Sequence, residues 1–97
     1  MKNDLQIIKK KVVPVLKKNH VVKAGIFGSY AKGNQKNKSD IDIIIEPPKG
    51  IGYGFFGIQS ELEKAVGKKV DLVTYKSLSP YLKKHILNEE VRILDKK

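Results

Sequence analysis

Residues 28–42 read GSYAKGNQKNKSDID, and this stretch decides the fold because it holds a strand end, a tight turn and the approach to a second strand. Gly28 and Ser29 stand where an apolar run stops, so the chain is expected to pass from strand straight into a short helical turn, which Gly33 ends. Backbone N–H groups and a hydroxyl then converge at a helix N-terminus, a setting that suits a phosphate. A polar stretch, residues 33–38, leads on to Asp40 and Asp42. Two positions apart on a strand, these acids leave the same face, separated along it by roughly 6 to 7 Å. Ile41 and Ile43 point the other way into the core and fix that register.

Two exposed carboxylates aimed at one point repel each other unless a cation neutralises them. Oxygen donors without His or Cys favour Mg²⁺ or Mn²⁺ over zinc. A third acid, Asp71, lies between Val70 and Leu72 near the start of a further strand. If that strand pairs beside the second, three carboxylates face one cleft opposite the turn at Gly28 and Ser29. A phosphate cradle facing carboxylates that hold two divalent ions is the apparatus of in-line phosphoryl or nucleotidyl transfer. Taken alone, the acid pair is equally the polar face of an edge strand, and the glycine–serine turn an ordinary N-cap; their coincidence favours the metal reading.

Working outward, residues 21–27 read as a buried strand before the turn, and residues 41–45 as a second, rich in β-branched side chains and ended by Pro47 and Pro48. Upstream, Leu5, Ile8, Val12 and Val15 recur at helical spacing behind the capping candidates Asn3 and Asp4, with lysines on the opposite face. Pro14 predicts a kink or break in that helix one turn before Asn19. Downstream, Gly50, Gly52, Gly54 and Gly57 predict a flexible loop holding Tyr53 and Phe55. It leads into a helix with apolar positions Phe55, Ile58, Leu62 and Val66, stopped by Gly67. Residues 70–75 predict a third strand, Ser79 with Pro80 starts a helix through Leu87, and residues 91–94 suit a short last strand. The pattern predicts an α+β (α/β two-layer) domain, a small mixed sheet with helices packed on it, occupying residues 1–97 as one unit.

With 97 residues, 40% of them apolar, the core is thin and a clefted two-domain enzyme is excluded. Twenty Lys and Arg against ten Asp and Glu leave a net charge of +10, and Arg92 is the single arginine. Such a balance favours an anionic partner but not base-specific reading of nucleic acid, which prefers arginine. The absence of cysteine excludes a disulfide scaffold, a thiolate zinc site and a thiol nucleophile. No apolar run approaches the roughly 20 residues of a membrane span, and no signal peptide is evident, so a cytoplasmic protein without membrane attachment is expected. His20 and His85 lack a partner at ligand or base spacing and are expected at the surface. Tyr30 and Lys32 read equally well as cleft contacts and as solvent-facing residues, and the lysine runs read as solvated faces.

The run GSYAKG, followed by SDIDIIIE and then VDLV, resembles the minimal nucleotidyltransferase (MNT) family of the DNA polymerase β-like superfamily. It is similar to the short subgroup encoded as antitoxins beside HEPN-type ribonuclease toxins, over nearly the whole chain. The fixed positions Gly28, Ser29, Ala31, Gly33, Ser39, Asp40 and Asp42, at roughly one in fifteen each, set a chance match at about 10⁻⁵ after allowing for starts and gaps. The resemblance implies a nucleotidyltransferase fold in which Gly28 and Ser29 hold the triphosphate. It implies that Asp40 and Asp42 bind two Mg²⁺ ions, and that Asp71 completes the catalytic and metal-binding triad and helps activate the acceptor. It further implies ATP as donor, a tyrosine hydroxyl on the co-encoded toxin as acceptor, and an antitoxin role. Lys32 stands where the family commonly has Arg; it keeps the charge for a phosphate contact but not the bidentate geometry. Two other readings stand beside this one. A non-catalytic antitoxin would neutralise its partner by contact alone, and a basic RNA-binding module would explain the charge but leave the acids idle. Homo- or hetero-oligomeric assembly is compatible with each.

Overall fold

The computed structural model describes residues 4–36 and 39–95; the capping candidate Asn3 lies outside them. The first helix, α1 (Asp4–Lys18), buries Ile8, Val12 and Leu16, spaced four apart, while Leu5 and Val15 pack at the margin of the same core. Lys9, Lys10, Lys11, Lys17 and Lys18 are all exposed. The break predicted at Pro14 is absent: the helix runs through it to Lys18. Pro14 lies on the exposed side, where water can serve the carbonyl it leaves without a donor. An interior proline costs about 3 kcal/mol, less than three buried aliphatic side chains return at roughly 1.5–3 kcal/mol each.

The following strand is shorter than predicted. Val21 closes the helix end, and the Val22 N–H donates to the Glu46 carbonyl at 2.9 Å just ahead of β1 (Lys23–Phe27). The Val21 N–H donates to the Leu16 carbonyl at 3.0 Å and the His20 N–H to the Lys17 carbonyl at 3.1 Å, with His20 in the left-handed region at φ 61°. This pattern normally ends on glycine; a histidine hid it in the sequence. His20 and His85 are both exposed, as expected.

From β1 the chain enters α2 (Gly28–Lys32), capped at its C-terminal end by Gly33, and continues to β2 (Ile41–Glu46). The flexible loop expected over residues 50–57 is shorter, because α3 (Gly54–Val66) already begins at Gly54. Phe55 packs on the core margin and Ile58 is fully buried within it, and that anchoring outweighs the poor helix propensity of Gly54 and Gly57. Gly67 ends α3 as predicted. Then follow β3 (Val70–Thr74), a 3₁₀ turn over Tyr75–Ser77, α4 (Pro80–Glu89) and β4 (Val91–Asp95). Ser79 caps α4, its hydroxyl accepting from the Leu82 N–H at 3.3 Å.

The four strands lie in the order β3-β2-β1-β4. β1 pairs antiparallel with β2 and β4, and β2 pairs parallel with β3, a connection that requires the α3 crossover. This is the small mixed sheet with packed helices that the sequence predicts. Ala24, Ile26, Ile41, Ile43, Ile45, Val70 and Leu72 form one core with α1 and α3. By the alternation of strands, Gly25, Asp42, Ile44 and Asp71 belong to the opposite face.

Candidate active site

Asp42 and Asp71 stand side by side in the parallel register of β2 and β3, so the third strand does pair where the acid cleft requires it. Their carboxyl groups are within hydrogen-bonding reach of each other. The Asp42 carboxyl is pushed up to about 6, first by burial, then by the charges of Asp71 and Asp40 and by the hydrogen bond to Asp71. Asp40 is exposed and sits just ahead of β2 instead of on it. Ser39 shapes that approach: its N–H donates to the Lys36 carbonyl at 2.9 Å, and its hydroxyl accepts from the Lys36 N–H at 2.8 Å.

Gly28 meets this cleft directly. It has φ +74°, and a Cβ there would overlap the Asp42 carboxylate. Only glycine lets the first turn of α2 approach the acid this closely. No side chain caps that turn, so its first N–H groups, with the Ser29 hydroxyl beside them, remain as donors for an anion. Lys32, at the other end of α2, is turned to α4: its Nζ lies 3.1 Å from Glu89 Oε2, and His85 Nε2 lies 3.4 Å from the same oxygen.

Among the described residues no three acidic or imidazole groups are close enough together to chelate an ion as they stand. The donor chemistry nonetheless fits a hard divalent cation: a partly buried Asp42 beside an exposed Asp71, with only oxygen ligands, in which the crowding that raises the Asp42 carboxyl is what a cation would relieve.

The sequence did not reveal two further features. Tyr30 is neither a cleft contact nor solvent-facing; it is buried, and its hydroxyl accepts from Lys68 Nζ at 2.7 Å. Glu90 carries a carboxylate only 3% exposed, which accepts from the Tyr75 hydroxyl at 2.6 Å and from Arg92 Nε at 2.7 Å. It lies against Gly25, where a Cβ would overlap it. A glycine inside a strand of otherwise apolar residues was the available signal for that close approach.

The chain is similar to known proteins over most of its length. Residues 10–97 match the family described as polymerase beta, nucleotidyltransferase. A Methanocaldococcus jannaschii protein proposed to be a protein adenylyltransferase is 48% identical over 88 residues, covering 90% of this chain and 95% of its own. A solved structure of a proposed minimal nucleotidyltransferase superposes with a TM-score of 0.81 at 25% identity, covering 93% of each chain. One chain of a toxin–antitoxin complex with AMP-PNP superposes with a TM-score of 0.78 at 26% identity, covering 90% of this chain and 73% of that one.

Proposed function

The chain belongs to the polymerase beta nucleotidyltransferase family and is a nucleotidyltransferase; from that membership and the acid cleft we propose that it transfers AMP from ATP to a tyrosine hydroxyl of a HEPN-type ribonuclease toxin, acting as its antitoxin. The observation that carries this reading is Asp42 beside Asp71 in one register with Gly28 pressed against Asp42. The similarity to a chain of a toxin–antitoxin complex with AMP-PNP supports both donor and partner.

In the proposed mechanism the α2 N–H groups at Gly28 and Ser29 receive the triphosphate and fix its direction. Asp42 and Asp71, with Asp40 at the rim, would hold two Mg²⁺ ions, for which Mn²⁺ can substitute. Bound there, the ions would neutralise the phosphates and stabilise the leaving pyrophosphate. Asp71, the exposed member of the pair, takes the proton of the acceptor hydroxyl. The acceptor oxygen then forms a bond to the α-phosphorus as the bond to pyrophosphate breaks. Lys32 reaches the triphosphate only by leaving Glu89.

This reading is tested by incubating the protein with ATP, Mg²⁺ and the neighbouring gene product, then weighing both proteins. AMP-sized increments on a tyrosine of the neighbour are expected. An unchanged neighbour whose toxicity is still blocked would overturn the transfer and leave neutralisation by contact. No helix among the described residues is long and apolar enough to cross a membrane.

A further inference from the structure

β3 is an edge strand, and its hydrogen-bonding phase is set by the Ile41 N–H, which donates to the Lys69 carbonyl at 3.1 Å. Residues 69, 71 and 73 therefore turn their backbone groups to β2, and residues 70, 72 and 74 turn theirs outward. Both outward groups of Val70 are closed by α3: its N–H donates to Glu63 Oε2 at 2.9 Å, and its carbonyl accepts from Gln59 Nε2 at 2.9 Å. The Thr74 carbonyl accepts from the Ser77 hydroxyl at 2.9 Å. Between these two stops the Leu72 N–H, the Leu72 carbonyl and the Thr74 N–H have no partner among the described residues. A donor, an acceptor and a donor in sequence make one step of strand pairing.

We propose that this gap is where the acceptor docks: the partner protein adds an extended, acidic, tyrosine-bearing segment as a strand beside residues 72–74. The inference rests on the transfer reaction proposed above and deepens it. A residue on the added strand level with Asp71 lies about 4.8 Å from it across the ladder and shares its face. A tyrosine there lifts its hydroxyl above the carboxylates, the side from which a triphosphate held at Gly28 is reached. Gln59, Glu63 and Ser77 close the ends of the gap and so fix the register. The opposite edge, β4, is separated from β2 by β1 and offers no such proximity. Lys69 and Lys76 are exposed at the two ends of this edge, and the chain carries +10. That charge attracts an acidic segment and repels a second copy.

Amide hydrogen exchange read by NMR on the whole chain tests the proposal, with a saturating synthetic peptide holding one tyrosine between valines and glutamates, Mg²⁺ and AMP-PNP. The Leu72 and Thr74 amides are expected to slow about tenfold or more, with Val70 unchanged. No slowing overturns the proposal. A parallel assay with ATP separates it from the reaction: AMP on the peptide without slowing overturns the docking alone, whereas slowing without AMP supports the docking and overturns the transfer. Slowing that grows with protein concentration and needs no peptide assigns the edge to a second copy and overturns it. Thr74→Pro removes one outward N–H and should lower transfer to the peptide roughly three- to tenfold, with ATP affinity unchanged. If that variant does not fold, the exchange result on the unaltered chain decides.

Discussion

Asp42 and Asp71 lie on strands joined by the thirteen-residue helix α3, yet the parallel pairing of β2 with β3 sets them directly beside each other. The proximity has a consequence for stability. With its pKa raised from 3.8 to about 6, Asp42 favours the folded state when protonated. That contribution is fully present below about pH 4 and is lost as pH rises through about 6. The metal-free protein is therefore expected to melt progressively lower across that window relative to Asp42→Asn, which lacks the titration. Mg²⁺ should close the difference at neutral pH but not at about pH 5, where protons compete for the carboxylates. Fluorimetric melts with chelator and with Mg²⁺ read both; a parallel pH profile for the two proteins would rule out Asp42 as the titrating group.

ATP is expected to bind only with Mg²⁺ or Mn²⁺, because the acids must be neutralised before a triphosphate approaches. Asp42→Asn should abolish transfer while keeping the fold, since it removes a ligand without opening a cavity and relieves like-charge repulsion. Calorimetry and circular dichroism check these outcomes. Tight metal-free binding would contradict the two-ion reading, and an unfolded variant would make Asp42 structural.

Gly28→Ala should lose more activity than any other small substitution in α2. The left-handed backbone alone costs about 1–2 kcal/mol for a residue with a side chain, and the added methyl group must displace the Asp42 carboxylate or the turn itself. A lowered melting temperature together with loss of transfer is expected. Full activity would separate the turn from the acids.

Asp42 and the turn are legible because both are local: a strand's two-residue period and a glycine–serine stop place side chains without knowledge of the tertiary fold, whereas Asp40 falls just ahead of β2, where that period does not hold. Asp71 was legible only conditionally, since its position depends on a pairing made across α3. What escaped reading was set by tertiary partners. Pro14 is tolerated because the buried stripe of Ile8, Val12 and Leu16 holds α1 on both sides of it. His20 replaces the glycine expected at a helix end, so nothing in the sequence marks Val21 as part of that end and not of the strand. A phosphate contact at Lys32 is implied only by the family resemblance, and its contact with Glu89 comes from a helix more than fifty residues later.

That contact yields the last prediction. Lys32 and Glu89 are 3.1 Å apart, with side chains 49% and 21% exposed, a partly solvated pair of the kind worth about 0–1 kcal/mol. Lys32 can engage a triphosphate only after this pair opens, so the pair subtracts its own strength from nucleotide affinity. Glu89→Gln should then tighten Mg²⁺–ATP binding about two- to fivefold, the factor that up to 1 kcal/mol allows. Lys32→Ala should weaken binding, and the double variant should match Lys32→Ala, because Glu89 acts only through the lysine. Titration calorimetry on the three variants reads the set. If Glu89→Gln leaves affinity unchanged while Lys32→Ala still folds and binds as tightly as the unaltered chain, Lys32 is a structural strut between α2 and α4, and the triphosphate is held by the α2 turn alone.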